Sequence, residues 1–200
     1  MMNLPNKITV SRIILVFIVL ILANIYYKFP YPFDYAIQVV AVIITTIAAI
    51  TDLIDGWIAR KYNLVSDFGK LIDPLADKIF VLTIFIIFVD TVNPVTLHSM
   101  LPGWVVIVVL TREFLVTGLR SLAAAKGEII AADNLGKLKT ATQMGFFVFG
   151  GFIWLNILPL QGTIKVMWCI AMGIVAIITI YSGLWYFIKY RHLYLIPNSK

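Results

Sequence analysis

Residues 52–77 place four aspartates, Asp52, Asp55, Asp73 and Asp77, in stretches that otherwise read as lipid-buried helix, TDLIDGWIAR and then KYNLVSDFGKLIDPLADK. An ionised carboxylate at membrane depth is costly, so such residues are rare and usually functional. Four in one helical hairpin would repel one another unless cations sat among them. Asp52 and Asp55 are spaced i, i+3, and Asp73 and Asp77 i, i+4, so each pair shares one helical face. In an antiparallel hairpin, Asp52 falls level with Asp77 and Asp55 with Asp73. The carboxylates can then meet as two opposed pairs, roughly 10 Å from the loop. Oxygen ligands without His or Cys favour hard cations such as Mg²⁺, Mn²⁺ or Ca²⁺. Two cations about 4 Å apart are a recurring device for displacement at phosphorus, because they clamp entering and leaving oxygens together.

The neighbours of the cluster fit such a site. Gly56 and Gly69 remove side chains where a ligand could approach the backbone, and Pro74 frees a carbonyl one turn earlier and is expected to kink its helix. Asp67, in SDFG, reads as a helix cap. The other four could instead be caps, or ion-pair partners of Arg60, Lys70 and Lys78. An ion pathway or proton relay also uses intramembrane carboxylates, but it gives no reason for Gly56, Ala59, Arg60 and Gly69 at their positions.

The elements that must position these residues are apolar helices. The 200-residue chain is 61% hydrophobic and 13% charged, more apolar surface than a soluble domain of this size could hide. Six segments, 8–27, 35–60, 69–90, 103–125, 138–158 and 163–189, are long enough for a ~30 Å hydrocarbon core. The expectation is an all-α integral membrane protein with six transmembrane helices in a single polytopic domain, 1–200. The run after Arg12 lacks a small-residue cleavage site and reads as the first span, not a removed leader. Pro5 and Asn6 are expected to open an interfacial turn before it. Cys169 has no possible disulfide partner and reads as a small core residue. Aromatic residues at 26–35 and 185–194 resemble interfacial belts. Neither His98 nor His192 has a partner at ligand spacing.

Charge sets the orientation. The N-terminus, the 61–68 and 126–137 loops, the C-terminal tail and their flanking helix ends hold nearly all the lysines and arginines, whereas the opposite side keeps only Lys28 and Lys165. Both termini and the aspartate hairpin are therefore expected to face the cytoplasm. The formal net charge of +6 is polarised toward anionic headgroups or phosphorylated substrates, and no nucleic-acid-binding pattern competes with that reading.

A second basic region lies at 111–140. Arg112 and Arg120 in TREFLVTGLR are about 80° apart around a helix and share a broad face. Arg112 sits near mid-span, where an unpaired guanidinium is expensive, and Glu113 next to it is expected to point away. Lys137 and Lys139 open the fifth span. Four cations around a wet cavity would seat a phosphorylated acceptor, although Arg120, Lys137 and Lys139 could instead hold lipid headgroups.

Asp52-x-x-Asp55-Gly56-x-x-Ala59-Arg60, eight residues, then Gly69-x-x-x-Asp73-x-x-x-Asp77 resembles the complete signature of the CDP-alcohol phosphatidyltransferases, matching all eight positions. The resemblance implies that family's fold, and a reaction in which an alcohol attacks a phosphorus of a CDP-linked lipid and releases CMP. It implies Asp52, Asp55 and Asp73 as metal ligands and Asp77 as general base and further ligand. Gly56, Ala59, Arg60 and Gly69 would line the CDP pocket. Whether Asp77 accepts a proton or mainly positions the hydroxyl stays open. PNKITVSR at 5–12 is similar to the PNxxTxxR start of many members, which places Asn6, Thr9 and Arg12 beside the nucleotide; capping and positive-inside anchoring also account for them.

TREFLVTGLR and GKLKTATQ resemble the bacterial phosphatidylglycerophosphate synthases within the family. This implies CDP-diacylglycerol and sn-glycerol 3-phosphate as substrates, with the acceptor phosphate on some of Arg112, Arg120, Lys137 and Lys139. It also implies two divalent metal ions, Mg²⁺ or Mn²⁺, a bacterial inner or plasma membrane, lipid contacts and a homodimer. The alternatives are a sibling transferase using inositol phosphate, serine or phosphatidylglycerol, and a divalent-cation transporter.

Overall fold

In the computed structural model the backbone is described for residues 4–61, 67–92, 99–128, 130 and 133–195, and the side chains for these except 4–5, 52–61, 67, 70 and 71. Six long helices correspond to the six apolar segments: α1 (Leu4–Ile25), α2 (Phe33–Lys61), α3 (Asp67–Asp90), α4 (Gly103–Ala125), α5 (Asn134–Trp154) and α6 (Gly162–Lys189). A 3₁₀ turn, Tyr26–Lys28, follows α1, and a single-turn α7, His192–Leu195, follows α6. No strand element occurs among the described residues. By length and composition, three stretches among the described residues, Asn6–Lys28, Phe33–Thr51 and Gly162–Lys189, are apolar enough to cross a membrane. The helices α3, α4 and α5 carry charged residues within their apolar runs, among them Asp73, Asp77, Arg112, Glu113 and Lys139.

Two helix starts depart from expectation. The turn expected at Pro5 and Asn6 is instead the first turn of α1. A proline is tolerated there because its missing N–H would have had no intrahelical partner. The helix α5 begins at Asn134, four residues before the expected span. The Asp133 side chain accepts a hydrogen bond from the Gly136 N–H at 2.9 Å and so caps it. The helix α3 continues through Pro74. It starts at Asp67, whose side chain, and so its expected capping role, lies outside the described residues.

The helices group into two compact units, Met1–Val92 and Asn93–Lys200. In the first, α1 packs against both α2 and α3. The buried residues of α1, Asn6, Thr9, Arg12, Val16, Val19 and Ala23, recur every three or four positions and form one stripe. Its first half is polar and its second half apolar. On α2, Ala41 and Ala48 are fully buried, and small residues of this kind let helix backbones approach closely.

In the second unit, α6 packs against α4 and α5. The stripe of α4 is Val105, Val109, Val116, Leu119 and Ala123, and Arg112 falls at its missing position. The stripes of α5 (Lys139, Gln143, Phe146, Gly150, Ile153) and α6 (Trp168, Val175, Thr179, Ser182, Tyr186) likewise change character along their length. At the apolar end Phe146 stacks on Trp168 with centroids 4.3 Å apart, and the indole N–H of Trp168 donates to the Met100 carbonyl at 2.7 Å. Further along, polar residues replace apolar ones in the stripes of α5 and α6, while on α4 Arg112 interrupts a stripe that is apolar on both sides. Cys169 lies outside the core. It is exposed on α6, where Ile170, Ile174 and Ile177 are also exposed. Helical phase, not residue size, decides its position.

Candidate functional site

In the first unit, the polar half of the α1 stripe meets the carboxylates of α3. The Thr9 hydroxyl donates to Asp73 Oδ1 at 2.8 Å, and Arg12 Nη1 donates to Asp77 Oδ1 at 3.0 Å. The two contacts advance together along both helices, so α1 and α3 run parallel at this level. Thr9 is 1% and Arg12 2% exposed, whereas the Asp77 side chain is 59% exposed. Buried donors thus hold carboxylates whose other faces stay open. A buried side chain with a fixed partner loses rotamer freedom in advance, which is what a positioned ligand set needs. Asn6 is buried on the same stripe as Thr9, and Gly69 is buried one turn before Asp73.

The other signature residues, Asp52, Asp55, Gly56, Ala59 and Arg60, lie on the last turns of α2. Their side chains are outside the described residues, and so is the expected depth match across the hairpin. The part that is described fits a hard cation. Asp73 and Asp77 are two exposed oxygen donors one helical turn apart, oriented from behind by a hydroxyl and a guanidinium. A cleft of about 320 Å³ between the far ends of α1 and α3, lined in part by Asn24, Tyr26 and Asp90, is a separate feature. Its nearest α3 residue, Ile86, lies roughly 14 Å along the helix from Asp77.

In the second unit, polar residues of α4, α5 and α6 form an ion cluster. Arg112 Nη2 donates to the Ser182 hydroxyl at 2.7 Å and Nη1 to Glu113 Oε1 at 3.3 Å, and Lys139 Nζ pairs with the same Glu113 oxygen. The expectation that Glu113 points away from Arg112 is therefore corrected. The Cβ bonds of adjacent helical residues do diverge, but a long guanidinium can curl back to the carboxylate of its neighbour. Gly183 gives the Arg112 stem its passage over α6, since a Cβ there would come within 3.1 Å of Arg112 Cγ.

Arg120 is joined to the cluster through Tyr186. The guanidinium carbons of Arg112 and Arg120 each lie 5.7 Å from the Tyr186 ring centroid, and Arg120 Nη2 donates to the Tyr186 hydroxyl at 3.3 Å. Tyr186 is fully buried. Three buried polar atoms of these stripes, Arg112 Nε, Gln143 Nε2 and Thr179 Oγ1, have no hydrogen-bond partner among the described residues. Such atoms cost about 1–3 kcal/mol each unless something polar meets them.

Of the four expected phosphate-binding cations, Arg112 and Lys139 are thus brought together, and Arg120 joins through the Tyr186 ring. Lys137 is exposed, roughly 200° around α5 from Lys139. Ser182 and Tyr186 were missed, because their only sequence signal is a polar break in an apolar run. His192 does find a partner, with Nε2 3.0 Å from Glu128 Oε2, and both side chains are about half exposed. His98 lies outside the described residues.

With this geometry in place, the comparisons with known proteins are specific. The family model of the CDP-alcohol phosphatidyltransferases matches residues 2–185. The chain is 40% identical over 202 aligned residues to the CDP-diacylglycerol–glycerol-3-phosphate 3-phosphatidyltransferase of Bacillus subtilis, covering 94% of this chain and 95% of that one. It is 35% identical to the protein of the same name from Rickettsia typhi, over 94% and 96% of the two chains. A probable phosphatidylglycerophosphate synthase of Mycobacterium tuberculosis is 36% identical over 92% of this chain and 79% of its own.

Proposed function

Because the chain belongs to the CDP-alcohol phosphatidyltransferase family, we propose that it transfers the phosphatidyl group of CDP-diacylglycerol to sn-glycerol 3-phosphate, giving phosphatidylglycerophosphate and CMP. The observation that carries this is the near full-length likeness to proteins whose names state that reaction. It is an all-helical membrane protein, and the broad apolar faces left exposed on α1 and α6 suit contact with lipid.

The reaction is an in-line displacement. A hydroxyl oxygen of the acceptor forms a bond to the lipid-bearing phosphorus, the bond from that phosphorus to the CMP oxygen breaks, and the hydroxyl proton must be taken up. Asp73 and Asp77, with Asp52 and Asp55 of α2, would hold Mg²⁺ or Mn²⁺, which when bound supplies charge stabilisation at the reacting phosphorus. Asp77 receives or orients the hydroxyl proton while Arg12 fixes its carboxylate. Thr9 fixes Asp73 in the same way. Asn6, Gly56, Ala59, Arg60 and Gly69 bind the CDP moiety. Arg112, Arg120 and Lys139 hold the acceptor phosphate, with Lys137 steering it from the surface.

We further propose six spans in one polytopic domain, 1–200, with both termini and the aspartates cytoplasmic, in a bacterial plasma membrane and as a homodimer. The basic-residue asymmetry supports the orientation, and the family match running through both compact units supports the single domain. The test is CMP release by purified protein given CDP-diacylglycerol, Mg²⁺ or Mn²⁺ and a panel of alcohols. Glycerol 3-phosphate should be the preferred acceptor. Release with a different alcohol alone would replace the acceptor, and cation flux without CMP release would replace the reaction.

A further inference from the structure

The ion cluster of α4, α5 and α6 contains one acidic side chain, Glu113, to which the proposed reaction gives no role. Glu113 contacts both Arg112, at 3.3 Å, and Lys139, and the Glu113 side chain is 19% exposed. We propose that Glu113 is a positioning residue that holds the Lys139 ammonium and the Arg112 guanidinium at the spacing that receives the phosphate of the acceptor. This rests on the proposed use of glycerol 3-phosphate.

Three physical points lead there. First, two nearby cations in a low-dielectric interior repel each other, and a lysine on a flexible four-carbon stem would swing its ammonium toward water. The Glu113 carboxylate removes both tendencies, and it links α4 to α5 through Lys139. Second, one carboxylate against two cations leaves a net positive charge, so the cluster stays attractive to a phosphate dianion. Third, Arg112 is held from two sides, by Ser182 and by Glu113, yet its Nε is unpartnered among the described residues. Gln143 Nε2, one turn along α5 from Lys139, is unpartnered in the same sense. Glu113 thus fixes the cations without using up the polar atoms around them, as suits an oxygen-rich ligand. If Glu113 were instead a competitor occupying the phosphate seat, removing its charge would tighten acceptor binding, the opposite sign.

The experiment is steady-state kinetics of Glu113→Gln, Glu113→Asp, Lys139→Gln and the double variant Glu113→Gln/Lys139→Gln, with both substrates varied and thermal unfolding measured alongside. Glu113→Gln should raise the KM for glycerol 3-phosphate about tenfold, the effect of losing one charge-assisted contact. The KM for CDP-diacylglycerol should stay within about twofold of the wild type. Glu113→Asp should give an intermediate acceptor KM. Adding Glu113→Gln to Lys139→Gln should raise the acceptor KM less than Glu113→Gln does alone, since only the Arg112 contact remains to be lost. An acceptor KM that is unchanged or lower, or a donor KM that rises equally, overturns the proposal. If Glu113→Gln does not fold, Glu113→Asp decides, since it must raise the acceptor KM alone. A wild type that is active while these variants behave like it overturns only the role of Glu113, whereas a wild type inactive with glycerol 3-phosphate overturns the function as well.

Discussion

Arg12, 2% exposed on the first helix, donates to the carboxylate of Asp77 on the third at 3.0 Å. A cation this deeply buried needs an anion, and here the anion is the last aspartate of the signature. The bond ties the N-terminal PNKITVSR segment to the carboxylates of α3, so the first helix backs the proposed reaction site. Substituting Arg12 by Gln should lower kcat/KM for CDP-diacylglycerol about 10- to 100-fold, the range of a hydrogen bond to a charged group. Arg12→Lys keeps the charge without the planar fork and should fall between. Wild-type kinetics for Arg12→Gln would mean that Asp77 does not depend on it.

Thr9 offers a smaller, cleaner perturbation. Thr9→Val keeps the shape and removes the hydroxyl that donates to Asp73 at 2.8 Å. Turnover should drop roughly tenfold, and Thr9→Ser should restore it. A Ser variant as impaired as Val would point to packing of the methyl group as the relevant contribution.

How much of this was readable from the chain follows from the kind of interaction. The aspartates, the glycines and the six apolar segments carry periodic or compositional signals, and the helices form where those signals place them. The partners of Arg12 and Thr9 lie more than sixty residues away, and local spacing does not encode them. The same applies to Ser182 and Tyr186, which pair with arginines on α4 across the helix interface. Glu113 was misjudged because spacing rules follow Cβ directions, whereas a guanidinium at the end of a long stem reaches beyond its own. Cys169 was misjudged because an apolar run on a membrane helix has no polar face to reveal its phase.

On α5 the two lysines should separate sharply. Lys139 is buried and paired with Glu113, while Lys137 is exposed. Lys139→Ala should raise the acceptor KM at least about tenfold, and Lys137→Ala should change it less than about threefold, as a screened surface charge does. Equal effects would show that both lysines act through long-range charge alone.

Tyr186 places one ring against two guanidiniums. Tyr186→Phe loses only the 3.3 Å hydrogen bond to Arg120 and should raise the acceptor KM by roughly two- to fivefold. Tyr186→Ala also removes the cation–π contacts, worth about 2 kcal/mol when desolvated, and should cost more than tenfold. Identical behaviour of the two variants would assign the whole effect to the hydroxyl.

Cys169 is exposed on an apolar helix face, about 11 Å along α6 from its start. A nitroxide attached there, in protein reconstituted in bilayers, should collide more with dissolved oxygen than with a water-soluble nickel chelate. The reverse ranking would place this face of α6 in water.

The most direct test of the central claim follows the acceptor itself. Radiolabelled glycerol 3-phosphate, incubated with reconstituted protein, CDP-diacylglycerol and Mg²⁺, should move into the chloroform-soluble phase as phosphatidylglycerophosphate, with one CMP released per label transferred. Asp73→Asn protein that folds normally should transfer none. Label that stays in the aqueous phase with wild-type protein, or transfer that persists in Asp73→Asn, would contradict the account.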